Sequence, residues 1–234
     1  MFGFKAIIAA VIMVLSLAAP VLAEPFEDAV LAYNKGDYAT ALRLLRPLAN
    51  QGNVSAQYNL GGMYAKGQGV PQDYAEAVKW YRLAANQGDA DAQYNLGGMY
   101  RKGQGVPQDY AEAVKWYRLA ANQGQVSAQF NLGIMYEDGL GVPQDHAQAV
   151  KWYRLAANQG DADAQVNLGI MYHKGQGVPQ DYVSAHMWFN LAAAKGDKDA
   201  AKNRDTAEKR MTPAQIAEAQ KLAREWKPTK PSPR

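Results

Sequence analysis

Residues 56–64 of the chain read AQYNLGGMY, and residues 92–100 repeat that stretch letter for letter. Two close versions follow at the same interval, AQFNLGIMY at 128–136 and AQVNLGIMY at 164–172. The repeating unit is 36 residues long, and its four copies occupy 53–88, 89–124, 125–160 and 161–196. A period of this size indicates a unit that buries its apolar face only by stacking on its neighbours. The chain is therefore predicted to be an elongated solenoid.

Each unit is predicted to contain two helices, as the second copy illustrates. Apolar residues recur at helical spacing over 92–102, and Asp89 or Asp91 can cap the start of this first helix. The second helix begins at Asp109, which fits a D-x-x-E capping box with Glu112. The unit is therefore a helix, a glycine- and proline-containing loop, a second helix and a short turn.

A glycine stands in the middle of each first helix, and Gly97 is the example in the second copy. Glycine in a helix interior costs about 1 kcal/mol relative to alanine. The position therefore predicts that another part of the molecule approaches closely, and we expect this to be the backbone of a neighbouring helix.

The segments outside the repeats are predicted to cap the two ends of the solenoid. Residues 24–52 form an N-terminal helical hairpin with a shorter linking loop. Residues 197–227 supply C-terminal capping helices, the last of which starts at a T-P-x-Q motif and buries Ile216 and Trp226 against the final repeat. Residues 228–234 contain three prolines and no apolar anchor, which is typical of a disordered tail.

Residues 1–23 have the pattern of a signal peptide, with cleavage after Ala23. Lys5 is the only charge before Glu24, and an apolar run follows it. That run is shorter than the ~20 residues that a membrane span requires. The chain has no cysteine, which excludes a lipoprotein anchor. The mature chain, 24–234, is therefore expected in the periplasm or the medium, without a membrane span.

The net charge argues against nucleic acid as a partner. The chain carries +3, and loss of Lys5 with the signal peptide leaves +2. The charge is unevenly distributed, because residues 195–234 contain 11 Lys and Arg against 6 Asp and Glu. This basic end either faces an acidic partner or is solvated charge on a terminal helix and tail.

The recurring pattern A-x-x-x-L-G-x-M-Y, then G-V-P-Q-D, then W-x-x-x-A-A resembles the Sel-one-like repeat family, a relative of the tetratricopeptide repeats. The match covers 53–196 closely and the flanking helices loosely. The resemblance implies an all-α fold, a right-handed α-solenoid of antiparallel helix pairs with a concave groove lined by the first helices. It also implies a scaffold or adaptor, often an exported bacterial protein. The β-lactam activity associated with cysteine-rich relatives is not carried over, because this chain lacks cysteine.

A candidate partner-binding groove is marked by one face of the first helices, where residues differ between copies. Such differences also arise by drift at exposed positions after duplication. An asparagine also recurs in every copy, at a position that resembles the groove-facing asparagine of peptide-binding tetratricopeptide repeats, and it can bond either the main chain of a bound peptide or a carbonyl of the neighbouring repeat. The candidate groove residues are Tyr58, Asn59, Lys66, Tyr94, Asn95, Arg101, Lys102, Phe130, Asn131, Glu137, Asp138, Asn167, His173 and Lys174.

The sequence lacks the residue patterns of an enzyme or a metal site. The three histidines stand alone, since none of His146, His173 and His186 has a His, Cys or carboxylate partner three or four residues further on, and there is no cysteine nucleophile or G-x-S-x-G motif. We therefore predict a non-enzymatic scaffold or adaptor without cofactor or metal, which engages a protein or peptide through the groove and can regulate an envelope complex or signalling receptor. The alternative is a cell-envelope hydrolase or a peptidoglycan- or β-lactam-interacting enzyme.

Overall fold

The computed structural model of the protein describes residues 24–229. Within that range the chain forms twelve helices and no strand. The expected signal peptide and the end of the expected tail, 230–234, lie outside the described residues. The helices are α1 (Glu24–Asn34), α2 (Tyr38–Asn50), α3 (Val54–Lys66), α4 (Tyr74–Asn86), α5 (Ala90–Lys102), α6 (Tyr110–Asn122), α7 (Val126–Asp138), α8 (His146–Asn158), α9 (Ala162–Lys174), α10 (Tyr182–Ala193), α11 (Lys198–Glu208) and α12 (Pro213–Glu225).

The four sequence repeats are the helix pairs α3–α4, α5–α6, α7–α8 and α9–α10. From α1 to α11, each helix packs against the next one along the chain, both within a pair and between pairs. The hairpin α1–α2 stacks on the first repeat through α2 and α3. The predicted fold class, an all-α solenoid of helix pairs, is confirmed. None of the helices in the described range is both long enough and apolar enough to cross a bilayer.

The helix starts follow the predicted capping residues. Asp89, rather than Asp91, caps α5, because its carboxylate accepts a hydrogen bond from the Ala92 N–H at 2.7 Å. Asp109 caps α6 in the same way through the backbone N–H of Glu112, at 3.0 Å. The Glu112 side chain bonds Lys115 in the next turn instead of completing the predicted capping box. Asp109 therefore caps the helix as predicted, whereas Glu112 forms a surface ion pair with Lys115.

The mid-helix glycine makes room for an aromatic ring, not for a helix backbone as predicted. A Cβ atom on Gly97 would lie 2.8 Å from Cδ1 of Tyr117, far inside van der Waals contact. The ring of Tyr117 comes from the second helix of the same repeat and is almost fully buried. The equivalent pairs are Gly61 with Tyr81, Gly133 with Tyr153 and Gly169 with Phe189.

Buried glutamines connect each repeat to its neighbours. The Gln93 amide donates to the Ala85 carbonyl at 3.0 Å and accepts a hydrogen bond from the Gln123 amide at 2.8 Å. It thereby joins the end of α4, the start of α5 and the end of α6. In the last repeat Lys195 takes the position of Gln123 and donates to a backbone carbonyl instead. The equivalent glutamines are Gln57, Gln129 and Gln165.

Helix α11 continues the row of first helices beyond the fourth repeat. It begins 36 residues after α9, and Asp197 caps it as Asp161 caps α9. Asn203 therefore falls in register with Asn167. Since α11 packs against α10 as α9 packs against α8, the first of the predicted C-terminal capping helices is half of a further repeat.

Helix α12 also packs against α10 and starts as the sequence predicts. Thr212 and Gln215 form a complete capping box at its start. Trp226 at its end meets Trp188 edge to face, with 6.4 Å between ring centroids. Trp226 and Ile216 are both half-buried rather than fully buried, so α12 covers the last repeat only in part.

The first residues of the expected disordered tail contact the last repeat. The Thr229 N–H donates to the carbonyl of Asn158 at 2.8 Å, and Pro228 lies beside the turn at Gly160. The described part of the tail therefore differs from the prediction, because a backbone hydrogen bond holds it on the turn between α8 and α9.

Candidate functional site

The first helices present a surface whose floor is formed by the aromatic rings of the second helices. The rings lie over the mid-helix glycines, and pockets open between successive first helices. We call this surface, from α1 to α11, the groove. Fourteen residues were predicted to line it, and all of them lie on α3, α5, α7 or α9.

The N-terminal pocket lies between α3 and α5 and has a volume of about 290 Å³. Gly62 leaves this space open, because the nearest atom to a Cβ built there is the Tyr81 hydroxyl oxygen at 3.6 Å. Burial raises the pKa of the Tyr81 hydroxyl, so this group is a neutral hydrogen-bonding group at the pocket floor. The lining residues are Tyr33, Tyr58, Asn59, Gly62, Lys66, Tyr81 and Asn95, four of which were predicted.

An adjoining pocket of about 180 Å³ extends the site along α5. It brings together four predicted residues: Tyr94, Asn95, Arg101 and Lys102. The rings of Tyr94 and Tyr117 lie 5.8 Å apart at its floor. Burial raises the pKa of Tyr117 to about 12, and the nearby Arg101 guanidinium opposes that rise. The pocket is therefore lined by two cations beside neutral aromatic rings.

The third repeat places larger side chains in the equivalent space. Ile134 stands where the earlier repeats have glycine, and the ring of Phe130 lies 5.9 Å from that of Tyr153. The Tyr153 hydroxyl donates to Oε2 of Glu137 at 2.5 Å. Burial raises the pKa of Tyr153, and the Glu137 carboxylate adds to this, so the hydroxyl remains a donor. Asp138 is exposed beside this pair, which makes the middle of the groove acidic.

The C-terminal pocket lies between α9 and α11 and has a volume of about 260 Å³. The His173 ring meets the Tyr182 ring edge to face at 5.2 Å. Burial lowers the pKa of His173, and the positive charges of Arg210 and Lys174 lower it further. The lining residues are Ile170, His173, Lys174, Phe189, Asn203 and Thr206, two of which were predicted.

The recurring asparagines make contacts that differ from the predicted bond to a carbonyl of the neighbouring repeat. Asn59 and Asn131 each donate to a carbonyl one turn earlier in their own helix, at 2.7 and 2.8 Å. Asn95 instead lies near the hydroxyl of Tyr58, and Asn167 near that of Tyr153, where each amide opposes the rise in the pKa of the hydroxyl. The second pair therefore lies beside aromatic residues of the preceding repeat, within the groove.

The sequence did not predict two interactions of the helices: the hydrogen bonds of the buried glutamines and the contact between His186 and Glu208. The buried glutamines exemplified by Gln93 are as constant between copies as the asparagines. That constancy was the sequence signal that could have identified them. His186, predicted to stand alone, is fully buried and lies 2.8 Å from Oε1 of Glu208 on α11. No local pattern predicts this pair, because 22 residues separate its members. In the range 24–229, no group of three or more metal-ligating side chains comes together.

Five segments of the chain match a family model described as the Sel1 repeat. The matched segments are 31–53, 54–89, 90–125, 126–161 and 162–197. The chain therefore belongs to the Sel1 repeat family, within the tetratricopeptide-like superfamily that its sequence resembles. The first segment runs from the end of α1 through α2 to the cap of α3, so the similarity extends to the N-terminal side of the four clear repeats.

Solved structures of Sel1 repeat proteins have the same fold. A Sel1 repeat protein from Oxalobacter formigenes is 33% identical, with a TM-score of 0.72 over 84% of each chain. A protective antigen of uropathogenic Escherichia coli with this repeat fold is 34% identical, with a TM-score of 0.54 over 86% of this chain and 53% of its own. The present chain thus spans about half of that antigen. No curated protein matches the chain at a significant level.

These similarities support a general role. Sel1 repeat proteins commonly mediate protein–protein interactions, and their fold is typically that of a non-enzymatic scaffold. The aromatic, amide and charged side chains in the groove are groups that recognise proteins and peptides.

Proposed function

We propose that this protein is a non-enzymatic scaffold or adaptor whose groove holds an extended segment of a partner protein. The observation that carries the proposal is the series of pockets between successive first helices, which have aromatic floors and polar rims. Aromatic side chains in such pockets provide much of the binding free energy of interfaces. Tyr58, Tyr94 and Phe130 are the proposed anchors, each packed within 6 Å of a floor ring.

The charges along the groove define the complementary ligand. Lys66, Arg101 and Lys102 make its N-terminal half basic, and Glu137 and Asp138 make the next repeat acidic. A bound segment would place acidic residues against the first group and basic or neutral residues against the second. Opposite charges across an interface raise the association rate and exclude partners of the wrong pattern.

The proposed place of action is the bacterial periplasm or the medium, and the proposed partner is an envelope complex or a signalling receptor that the scaffold regulates. The support is the signal-peptide pattern of residues 1–23, which lie outside the described structure. The basic C-terminal segment is the second candidate binding surface, since Lys and Arg exceed Asp and Glu there, 11 to 6.

The test is capture of a partner from an envelope extract by the mature chain, 24–234. Tyr94→Ala removes a proposed anchor in the groove, whereas Leu119→Ala removes a side chain that is 48% exposed on a second helix of the same repeat. We expect a partner that is retained by the parent and by Leu119→Ala and lost with Tyr94→Ala. Equal retention by both folded variants would exclude the groove and direct the search to the basic C-terminal segment.

A further inference from the structure

The two end pockets of the groove occupy the same position in the repeat. Four residues of the C-terminal pocket follow four residues of the N-terminal pocket by three repeats, or 108 positions. Because the helices stack in register, these residues should play equivalent roles in the two pockets. The pairs are Gly62 with Ile170, Lys66 with Lys174, Tyr81 with Phe189 and Asn95 with Asn203.

The substitutions between these positions make the floor of the C-terminal pocket apolar, whereas the floor of the N-terminal pocket carries a hydroxyl. Phe189 is buried like Tyr81 but has no hydroxyl, so its floor offers no hydrogen bond. Ile170 adds an aliphatic wall where Gly62 leaves the N-terminal pocket open. The remaining space, about 260 Å³, is below the size of a typical small-molecule site and suits a single side chain.

The rim of the C-terminal pocket carries positive charge. Lys174 lines it, and Arg210 is close enough to influence the adjacent His173. The lining residues include no carboxylate, and the nearby Glu208 is engaged by His186 on α10. Nδ1 of the adjacent His173 is buried without a hydrogen-bond partner. An anionic group at the rim would find complementary charge there.

We propose that the C-terminal pocket binds one aliphatic side chain of the partner segment, with an acidic residue directly following it at the rim. The N-terminal pocket, with the Tyr81 hydroxyl at its floor, accepts a polar side chain instead. The difference between the two pockets sets the register and the direction of the bound segment. This inference deepens the proposed function, and it rests on the groove being a site for an extended peptide.

The experiment measures binding of three blocked dipeptides to the mature chain by methyl NMR. The mature chain contains three isoleucines, which report from separate places: Ile170 in the C-terminal pocket, Ile134 on α7 in the third repeat and Ile216 on α12. Acetyl-Leu-Asp-amide carries both proposed features. Acetyl-Leu-Asn-amide removes the charge, and acetyl-Ser-Asp-amide removes the aliphatic group.

We expect acetyl-Leu-Asp-amide to shift the methyl signal of Ile170 while that of Ile216 stays in place. The two control dipeptides should bind at least about fivefold more weakly, as expected when a hydrophobic or charge-paired contact is removed. An unmoved Ile170 signal, or equal binding of the three dipeptides, would overturn the inference.

Three variants test the two features separately. Phe189→Tyr introduces the hydroxyl of the N-terminal pocket and should weaken acetyl-Leu-Asp-amide about tenfold, because a polar group then faces the aliphatic side chain. Tyr81→Phe, the matched change in the N-terminal pocket, should leave this binding unchanged. Thr206→Glu changes an exposed residue, so folding is preserved, and it should remove the preference for Asp over Asn.

The outcome separates this inference from the proposed function. If Thr206→Glu keeps the preference for Asp, or if Tyr81→Phe weakens binding as much as Phe189→Tyr does, the pocket assignment is wrong. A captured partner that still depends on Tyr94 would leave the groove proposal standing in that case. In the reverse result, the dipeptide binds at Ile170 but capture of the partner does not depend on Tyr94. That result would support the pocket assignment and exclude the wider groove proposal.

Discussion

Glu208 on α11 accepts a hydrogen bond from His186 on α10, with 2.8 Å between Oε1 and Nε2. Glu208 stands 36 residues after Tyr172, a tyrosine whose hydroxyl accepts from Arg154 at 2.7 Å. The earlier repeats are therefore joined by an arginine and a tyrosine hydroxyl. Asn190 stands at the position of that arginine in α10. The hydrogen bond between His186 and Glu208 joins α10 to α11 instead.

This pair predicts an asymmetric response to mutation. Glu208→Ala leaves a fully buried imidazole without its partner and should lower the free energy of unfolding by about 1–3 kcal/mol. His186→Val installs the side chain that Val150 provides in the preceding repeat, so the double variant should recover most of the loss. Urea unfolding followed by circular dichroism measures both. A double variant no more stable than Glu208→Ala would show that the pair is not the cause.

The two adjacent glycines of α5 should respond differently to alanine. Gly97→Ala places a Cβ 2.8 Å from the Tyr117 ring, and such overpacking should cost about 1–3 kcal/mol of unfolding free energy. Gly98→Ala has 3.6 Å to the Tyr117 hydroxyl and should be neutral or stabilise the helix by up to about 1 kcal/mol. The same urea unfolding distinguishes them, and equal stability of the two variants would contradict the packing shown by the structure.

Loss of α12 should expose part of the last repeat. Truncation after Met211 keeps α11 and removes the half-buried Trp226 from Trp188, which should cost about 1–2 kcal/mol and favour self-association. Sedimentation velocity and thermal unfolding of the mature and truncated chains provide the measurement. The expectation fails if the truncated chain remains a monomer with the melting temperature of the parent.

Charge and anchoring in the groove should affect different rate constants once a partner is available. Reversal of Arg101 and Lys102 to Glu should slow association at least about threefold and weaken its salt dependence, because these cations attract an acidic segment. Tyr94→Ala should speed dissociation about thirtyfold, as expected for loss of a central aromatic anchor. Surface plasmon resonance at two salt concentrations gives both constants, with circular dichroism as the folding control. Unchanged constants in both variants would place the interface elsewhere.

Export predicts a defined N-terminus. The protein recovered from the periplasm or medium should begin at Glu24, because Ala23 completes the cleavage pattern. Intact-mass analysis of the recovered protein checks this directly. A mass that includes residues 1–23 in a membrane fraction would show that the segment is retained as an anchor.

The sequence by itself determined the features that depend on residues close together in the chain. The period of 36 residues predicted the repeated helix pairs, and a cap such as Asp109 acts on a backbone N–H only three residues away. The same locality made the T-P-x-Q start of α12 recognisable. The variable face of the first helices could also be predicted, because helical spacing determines which residues share a face.

The tertiary structure decided what those faces meet. Gly97 signalled a close approach, but only the packed pair showed that the approaching group is the Tyr117 ring. The partner of His186 is 22 residues away, and its position depends on how α11 stacks on α10. The difference between the two end pockets, a hydroxyl at one floor and an apolar ring at the other, likewise became visible only when distant repeats were placed in register. Contacts between elements depend on stacking geometry, which a local pattern does not contain.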